Sequence, residues 1–295
     1  MTETVSVNNS GGLNRLAEHG ITRRALSLLP LPARRELLFI GCHKRFGNFT
    51  HPKTFSEKVN WRIIHDRREL LAWTCDKLRT KEVAKQRGVR VLPVLWCGTD
   101  AEGLRMADLP AAWVLKPNNR SGCILFGDAQ STSEAEVRRV LAMWSSDTWL
   151  AAQGEWAYAR AAPGYFIEPR IGPIPGSPPD FKVFMFDGEP YMVQVDTDRF
   201  TGHRRRFYSP DWDPMPFVGA HATLEEAPRP ECLADILHAG RIMAAGFDFL
   251  RVDVFVEEGQ VYLGEVTPYP MGGLEPFRPS HADLEIGAAW SLPPL

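Results

Sequence analysis

The sequence lacks the features that mark membrane-inserted, secreted and zinc-binding proteins. Its 295 residues contain no apolar run long enough to span a bilayer, only short stretches such as "ELLFIG". The opening "MTETVSVNNSGG" has neither the charged nor the apolar region of a secretory signal. The five cysteines are scattered without CxxC spacing, which argues against a zinc site and favours free thiols. We therefore expect a cytoplasmic protein with no membrane insertion.

The sequence also has little net charge. Its 34 Lys and Arg residues nearly balance its 36 Asp and Glu residues, so the formal net charge is -2. Such a molecule has no overall attraction for nucleic acid or for an anionic membrane, and we expect no nucleic-acid partner. Hydrophobic residues make up 44% of the chain. This share is typical of globular proteins, and the length allows one large domain or two to three small ones.

Helical periodicity and antiparallel hairpin patterns alternate irregularly along the chain. Helical spacing covers 13–45, and Thr54 followed by Glu57 has the pattern of a capping box. Another helix is expected to begin at Asp76. Strand patterns follow in "VRVLPVLW", "AAWVLKP", "CILF" and "GYFIEPRIG", and a hairpin is expected around "MFDGEP". Because there is no regular strand–helix–strand alternation, the sequence predicts an α+β fold.

The most informative stretch is 251–266, "RVDVFVEEGQVYLGEV", in which each of two strand-like runs carries an acid. A three-residue loop over 257–259 would place Arg251 opposite Glu265. Asp253 and Glu265 would then share one face as diagonal neighbours. A two-residue turn would instead put the two acids on opposite faces, because one register step reverses every side chain. We predict the three-residue loop.

Two carboxylates this close in a partly buried sheet repel each other unless a cation lies between them or one is protonated. Mg²⁺ suits such a pair, because it binds one or two carboxylates together with substrate phosphates and keeps several waters. The alternative is a simple ion pair between Arg251 and Glu265 on a solvated sheet face. The spacing alone leaves both interpretations open.

Two lysines stand where a phosphate is often bound. Lys116 ends the strand "AAWVLKP", just before the polar loop "NNRSG", whose N–H groups can hold an anion. Lys77 stands at the start of a predicted helix. The GxxxxGK[ST] pattern is absent, and solvated lysines are the alternative explanation.

Charged residues in the second half of the chain are less decisive. Lys182 and Asp180 alternate with apolar residues in "DFKVFMF", so both point to a single face. Arg199, His203 and Arg206 belong to a basic cluster that would hold an anionic substrate. The same cluster is also compatible with a solvated loop that nearby aspartates neutralise.

The order of five motifs resembles the ATP-grasp superfamily and, within it, the TupA-like (teichuronopeptide-biosynthesis-like) family. These motifs are "HPKTFSEKVNW" at 51–61, "DKLRTK" at 76–81, "LPAAWVLKPNNRSG" at 109–122, "DFKVFMFDGEP" at 180–190 and "FLRVDVFVEEGQVYLGEVT" at 249–267. The resemblance implies an ATP-grasp fold, with ATP held between two α+β subdomains after a mainly helical N-terminal segment. The expected parts are a disordered tail over 1–12, a helical region over 13–75, a small lid subdomain with its lead-in over 76–165, and a C-terminal subdomain with the metal and catalytic site over 166–295.

The resemblance implies ten nucleotide contacts: Lys77, Lys116, Ser121, Gly122, Glu168, Pro169, Arg170, Ile171, Asp180 and Lys182. The lysines would contact phosphate oxygens, and Ser121 and Gly122 would be backbone donors in a flexible lid loop. Glu168 would lie near the adenine at the hinge, and Asp180 would bind the ribose.

The resemblance also implies the catalytic, metal and substrate positions. Arg251 and Lys182 would be catalytic, with Arg251 stabilising charge on the transferring phosphoryl group. Asp253, Glu265 and Thr267 match the metal positions, here for Mg²⁺. The implied substrate contacts are Arg199, His203, Arg206, Gly272 and Gly273.

The sequence departs from the family pattern at two places. The superfamily usually has Asn where Thr267 stands, which leaves open whether one or two Mg²⁺ ions bind. The lid has Asn119 and Arg120 where a His-Gly pair is more usual.

The implied activity is an ATP- and Mg²⁺-dependent carboxylate–amine ligase, which forms an amide through an acyl phosphate and releases ADP and phosphate. The substrates would be a small-molecule or peptide carboxylate and an amine, such as an amino acid or amino sugar. The pathway would be cell-surface polymer or peptide natural-product biosynthesis, and a homodimer is a compatible assembly. The alternatives are a phosphotransferase that stops at a phosphorylated product, and a catalytically silent nucleotide-binding scaffold.

Overall fold

The structure, a computed structural model, describes residues 4–6, 26–146, 153–173, 176–198, 202–223 and 225–294. These residues form two mainly antiparallel sheets with helices packed against both, which confirms the predicted α+β class. The predicted tail over 1–12 lies outside the described residues except at Thr4–Ser6, which form a strand. The first part of the predicted helical stretch, 13–25, also lies outside them. Among the described residues, no helix is both long and apolar enough to cross a membrane.

The elements follow one another in an irregular order. The helices are α1 Leu31–His43, α2 Phe55–His65, α3 Lys77–Gln86, α4 Glu134–Ser146, α5 Trp156–Arg160, α6 Leu233–Ala244 and α7 His281–Ala288. The strands are β1 Thr4–Ser6, β2 Trp96–Gly98, β3 Ala112–Pro117, β4 Cys123–Asp128, β5 Tyr165–Pro169, β6 Asp180–Phe186, β7 Glu189–Thr197, β8 Arg204–Tyr208, β9 Ala222–Thr223, β10 Phe249–Glu257 and β11 Gln260–Thr267. Tight 3₁₀ turns lie at Glu69–Cys75, Met106–Asp108 and Pro270–Gly273.

The first sheet has the strand order β1-β4-β3-β5-β2. Alternate residues of its strands point to opposite faces. Trp113 and Leu115 pack on one face against apolar side chains of α4. Lys116 and Glu168 lie on the other face, which forms one wall of a cleft.

The second sheet has the strand order β11-β10-β6-β7-β8-β9, and only the β8–β9 pair is parallel. Its valine-rich face packs against α6, where Gly240 lies against Met185 and Val183. Its other face carries charged residues in the middle and aromatic residues towards one end. At that end Phe55 of α2 packs against Phe249 with ring centroids 5.2 Å apart.

Local sequence signals explain most element boundaries. α2 begins at the predicted capping box, in which Thr54 and Glu57 each accept the other's backbone N–H. α3 begins after Asp76, whose side chain caps its first turn. The strand predicted in "VRVLPVLW" is mostly wrong, because β2 covers Trp96–Gly98 and overlaps that stretch only at Trp96. Pro93 has no N–H to donate and cannot continue a strand ladder there.

The turn of the β10–β11 hairpin differs from the prediction. It contains two residues, Glu258 and Gly259, because Glu257 pairs with Gln260. Both turn residues have positive φ, 49° and 73°. Such turns match the right-handed twist of the flanking strands, which makes them the favoured short hairpin connections. The predicted three-residue loop is therefore wrong.

A bulge restores the face that the short turn would have reversed. Gly264 is an extra residue in β11 between Leu263 and Glu265, and it has no partner in β10. Beyond it, Asp253 lies directly opposite Glu265, and Arg251 lies opposite Thr267 instead of Glu265. The prediction that the two acids share a face is confirmed, whereas the predicted pairing of Arg251 with Glu265 is wrong.

The chain passes from the first sheet to the second between Pro169 and Asp180. The proline-rich connection holds the ends of β5 and β6 at the same cleft. The predicted division into a lid part over 76–165 and a C-terminal part over 166–295 stays a prediction.

Candidate functional site

A cleft with about 1080 Å³ of empty space, part of it open to solvent, lies between the two sheets. From α3, from β3 and from the loop after β3 it is lined by Lys77, Lys116, Ser121 and Gly122. From the strand β5 and the segment after it, Glu168, Pro169, Arg170 and Ile171 line it. From the second sheet it is lined by Asp180, Asp253 and Glu265. The fold therefore brings eleven of the predicted site residues to one cavity.

The acid pair lies at the floor of the cleft. Asp253 is 2% exposed and accepts two hydrogen bonds from Arg251, both of 2.7 Å. Glu265 is more accessible, with a side chain 33% exposed and 4.0 Å from the Arg251 guanidinium. Burial alone would lower the pKa of Arg251, but Asp253 and Glu265 raise it, so this guanidinium stays charged.

These two acids fit a hard divalent cation that is completed by other ligands. Within the described part of the chain, no three His, Cys, Asp or Glu side chains cluster in a way that would enclose a metal ion. Mg²⁺ does not need such a cage, because it commonly takes one or two carboxylates and fills the remaining positions with water and phosphate. Thr267 does not line the cleft, and its hydroxyl accepts the Tyr269 N–H at 3.1 Å.

Glu168 is shared by two lysines. Its Oε1 lies 2.5 Å from Lys116 Nζ, and its Oε2 lies 2.7 Å from Lys81 Nζ. Burial alone would raise the pKa of Glu168, but the two lysines lower it below its usual value. Glu168 is thus an anion that fixes the Lys116 side chain on the cleft wall.

Lys77 connects α3 to the lid loop. Its Nζ donates a hydrogen bond to the Arg120 carbonyl, and its backbone N–H donates to Asn118. Burial lowers the pKa of Lys77, while Glu265 acts in the opposite direction. A half-buried lysine held this way is a suitable partner for an added anion, which would restore its preference for the charged form.

Lys182 lies in a buried group of acids and does not line the cleft. Its Nζ pairs with Asp180 and lies 3.4 Å from Asp253 and 3.6 Å from Asp196. Lys182 and Asp180 share a face, as their spacing predicts. Burial alone would raise the pKa of Asp196, but Arg205, His203 and Lys182 hold it well below its usual value.

The predicted substrate residues, in contrast to the predicted nucleotide residues, do not lie together at one cavity. Arg199 lies outside the described residues. His203 Nε2 lies 3.1 Å from Asp196, whereas Arg206 lies on the opposite face of the sheet from Asp196, since it pairs with Val195.

Two predicted glycines belong to the turn Pro270–Gly273. The Gly272 carbonyl accepts a hydrogen bond from Arg35, and the Gly273 carbonyl accepts one from Asn60 at 3.1 Å. A Cβ at Gly273 would lie 2.6 Å from Asn60 Nδ2, so only glycine fits this approach. The turn is therefore fixed to α1 and α2.

Sequence reasoning missed two charged residues of this region, Lys81 and Glu275, and gave Arg205 no role beyond membership of the basic cluster. Lys81 follows Lys77 by four residues on the same helix, so helical spacing alone was a usable signal. Arg205 donates to Asp196 at 2.6 Å and also pairs with Glu275. No local pattern indicates that contact, because Arg205 and Glu275 are separated by 70 positions.

Several solved ligase structures have a related but distant architecture. The D-alanine–D-alanine ligase from Bacillus anthracis, complexed with ATP, has 16% identity and a TM-score of 0.41, with 67% of this chain and 55% of that chain covered. The L-amino acid ligase from Bacillus licheniformis has 15% identity and a TM-score of 0.40, with 66% and 40% covered. The ATP-grasp ligase PsnB, complexed with a phosphomimetic precursor variant, Mg and ADP, has 14% identity and a TM-score of 0.43, with 75% and 58% covered. The chain thus spans 40% to 58% of the length of these three proteins.

The search of curated protein sequences found no match. A family model described as TupA-like ATPgrasp, in contrast, matches residues 57–291. The match includes α3 with Lys77, the lid loop, both sheets from β2 to β11, and the acid pair. Since it covers well over half of the sequence, the chain belongs to the TupA-like ATP-grasp family.

Proposed function

We propose that the protein is an ATP-dependent carboxylate–amine ligase. The observation that carries this proposal is the cross-strand pair of Asp253 and Glu265 at the floor of a cleft that also contains Lys77 and Lys116. Carboxylates for a divalent cation and lysines for phosphate oxygens are the two groups that a nucleoside triphosphate requires. Family membership supports the same activity.

In this proposal the nucleotide lies between the sheets. Lys116 and Lys77 contact phosphate oxygens, and the backbone of Ser121 and Gly122 covers them. The hinge segment over 168–171 faces the adenine, with the Glu168 carboxylate holding Lys116 in place. Asp180 binds the ribose, and Lys182 balances the charge of the acids behind the phosphates.

Asp253 and Glu265 would hold Mg²⁺, and Thr267 would contribute at most a weak neutral ligand. When bound, the ion neutralises phosphate charge and aligns the terminal phosphoryl group.

The reaction proposed has two steps. An oxygen of the carboxylate substrate attacks the γ-phosphorus, the bond to the bridging oxygen breaks, and ADP leaves. The amine nitrogen then attacks the acyl carbon of the acyl phosphate, the carbon–oxygen bond to phosphate breaks, and the departing phosphate takes up the proton that the amine loses. Arg251 stabilises the negative charge that develops in both steps. The lid loop excludes water, which would otherwise hydrolyse the acyl phosphate.

The substrates proposed are a small-molecule or peptide carboxylate and an amine such as an amino acid or amino sugar. His203, Arg206, Arg199 and the turn with Gly272 and Gly273 are the proposed substrate contacts. The product would serve a cell-surface polymer or a peptide natural product. We propose a cytoplasmic location and allow for a homodimer.

The test is a screen of ADP release over pairs of carboxylates and amines, with the products identified by mass spectrometry. The expected result is one amide formed per ADP released, with ADP release dependent on both substrates and on Mg²⁺. A stable phosphorylated product with no amide would identify a phosphotransferase instead. Nucleotide binding without ADP release for any pair would contradict the ligase proposal.

A further inference from the structure

Arg120 is a cation in the cleft to which the proposed mechanism gives no role. It belongs to the lid loop, residues 118–122, which connects β3 to β4. It lines the cleft together with Lys77 and Lys116. Arg120 also stands at one of the two places where the sequence departs from the family pattern, so family membership predicts no role for this side chain. Its role follows from its surroundings.

The Arg120 guanidinium has an unused hydrogen-bond donor. Its Nη1 atom is buried, and among the described residues no atom accepts a hydrogen bond from it. The residue as a whole is half-buried. A buried N–H without an acceptor is unfavourable, so this long side chain is stabilised when an acceptor binds beside it. Anionic oxygens are the best acceptors, because two parallel N–H groups of a guanidinium match two oxygens of a phosphate or a carboxylate.

The main chain around Arg120 is held in place. Lys77 Nζ donates a hydrogen bond to the Arg120 carbonyl. On one side, a hydrogen bond joins the side chains of Ser121 and Tyr158. On the other side, Asn118 is 1% exposed, and its side chain is hydrogen-bonded to α3 and to the segment before β5. The loop therefore presents the Arg120 side chain to the cleft from a fixed position.

The cleft wall changes from apolar to charged along β3. Val114 and Phe126 lie opposite each other on β3 and β4, and both line the cleft. Lys116 follows Val114 by two residues and lies on the same face. Arg120 lies beyond Lys116, in the loop that leaves the strand. A nucleotide with its base at the apolar part and its phosphates at Lys116 therefore extends its terminal phosphate towards Arg120.

The proposed metal site lies at the same end of the cleft. The Lys77 ammonium, which is bonded to the Arg120 carbonyl, interacts electrostatically with Glu265. Mg²⁺ at Glu265 would contact the terminal phosphates of a nucleotide. The nucleotide and the carboxylate substrate both carry anionic oxygens that fit a guanidinium. The neighbouring Lys77 and Lys116, which are proposed to bind phosphate, favour the nucleotide as the partner of Arg120.

We infer that the Arg120 side chain binds the terminal phosphate of the nucleoside triphosphate. Its guanidinium donates to oxygens of the γ-phosphate, which the diphosphate product lacks. Arg120 thus gives the cleft a preference for ATP over ADP and favours the release of ADP after phosphoryl transfer. This inference rests on the proposed ligase function and adds the residue that distinguishes the substrate nucleotide from the product nucleotide.

The test measures the binding of ADP and of the non-hydrolysable triphosphate AMPPNP, each with Mg²⁺, to the full chain by calorimetry. We expect wild type to bind AMPPNP at least about tenfold more tightly than ADP, because only the triphosphate offers Arg120 a charge-assisted hydrogen bond. In Arg120→Gln this ratio falls by about tenfold, while the affinity for ADP stays close to that of wild type. The control Arg139→Gln makes the same change at an arginine of α4 whose side chain is 70% exposed, and it keeps the wild-type ratio.

The same measurements separate this inference from the ligase proposal. If wild type binds both nucleotides and Arg120→Gln keeps the wild-type ratio, the inference is wrong while the ligase proposal stands. An equal loss of affinity for both nucleotides also overturns the inference, because the γ-phosphate is then not what Arg120 contacts. If wild type binds neither nucleotide, both proposals fail.

A second measurement uses wild type alone and decides the matter should Arg120→Gln not fold. Phenylglyoxal modifies arginine side chains, and peptide mass spectrometry reports the rate at Arg120. AMPPNP with Mg²⁺ should slow this modification more than ADP with Mg²⁺ does, whereas the rate at Arg139 should stay unchanged. Equal protection of Arg120 by the two nucleotides would rule out the contact to the terminal phosphate.

Discussion

The two acids opposite each other on β10 and β11 differ in their surroundings, and this difference suggests that they have different roles in the proposed metal site. Asp253 is buried and held by Arg251, whereas Glu265 is one-third exposed towards the cleft. A buried, paired carboxylate is rigid, and an accessible one can accept a ligand without first losing a strong partner. Glu265 is therefore the better residue to test.

Replacing Glu265 by Ala should reduce ADP release by at least about 100-fold while the fold persists, because a carboxylate ligand to the metal is lost. Lys116→Ala should act in the same direction through lost phosphate contacts. The measurement is steady-state ADP release together with the thermal midpoint. Glu226→Ala, which removes an exposed acid, serves as the control. Normal turnover by Glu265→Ala would contradict the proposed metal site.

Lys81 pairs with Glu168, and we expect it to affect nucleotide binding through this ion pair and not by contacting the nucleotide. Lys81→Met removes the ion pair between Lys81 and Glu168. The Glu168 carboxylate then pairs with Lys116 alone, and Lys116 is less available to bind phosphate. The KM for ATP should rise roughly tenfold with a smaller change in kcat. Lys81→Arg keeps the positive charge and should have a KM for ATP close to that of wild type. Lys85→Met, which changes an exposed residue on α3, should leave the KM unchanged. A fall in kcat with unchanged KM would contradict this role.

At the level of elements, the β10–β11 hairpin depends on one glycine. A Cβ at Gly264 would lie 2.5 Å from the Phe255 ring, which a side chain cannot accommodate without movement. The bulge at Gly264 is also what brings Asp253 opposite Glu265. Packing and metal binding are therefore coupled at this position.

Gly264→Ala should lower the free energy of unfolding by about 1–3 kcal/mol and also reduce turnover, because the ring must move and the register of the acids is disturbed. Urea unfolding and ADP release measure the two effects. Gly259→Asn is the matched control, since its turn position has positive φ and no neighbour within 4 Å. Asn tolerates that conformation. An active, fully stable Gly264→Ala protein would show that the bulge does not fix the acids.

At the level of the whole molecule, Glu155 lies where three distant segments meet. Glu155 directly precedes α5 and interacts electrostatically with Arg35 on α1. Its Oε1 would lie 3.2 Å from a Cβ atom added at Gly272. Burial raises the pKa of Glu155 from 4.5 to about 7, although Arg35 acts in the opposite direction. Between these two pH values the folded state keeps a proton that the unfolded chain releases. The contribution of Glu155 to the free energy of unfolding therefore falls as pH rises through this window.

Glu155→Gln should remove that fall, because the amide does not titrate. Relative to wild type, the variant should gain up to about 3 kcal/mol in free energy of unfolding between about pH 4.5 and pH 8. Urea unfolding at several pH values checks this, with the exposed Glu102→Gln as the control. Parallel pH profiles for Glu155→Gln and wild type would contradict the assignment.

The sequence by itself determined the local features. The capping box at Thr54, the cap at Asp76 and the alternation of Asp180 with Lys182 depend on residues within a few positions, so the pattern was sufficient. Motif order predicted the family, which the match over 57–291 confirms. Eleven predicted site residues lie on one cleft, although their individual roles stay predictions.

Only the tertiary structure decided the contacts between distant segments and the register of the hairpin. The two-residue turn at Glu258 and the bulge at Gly264 each shift the register by one residue in the same direction, so together they restore the predicted face but not the predicted pairing, and no local signal separates this solution from the three-residue loop. The pairing of Arg205 with Glu275 depends on how β8 meets the segment after the Pro270–Gly273 turn. Such contacts depend on packing across the whole chain, whereas caps and strand faces depend on neighbours in sequence.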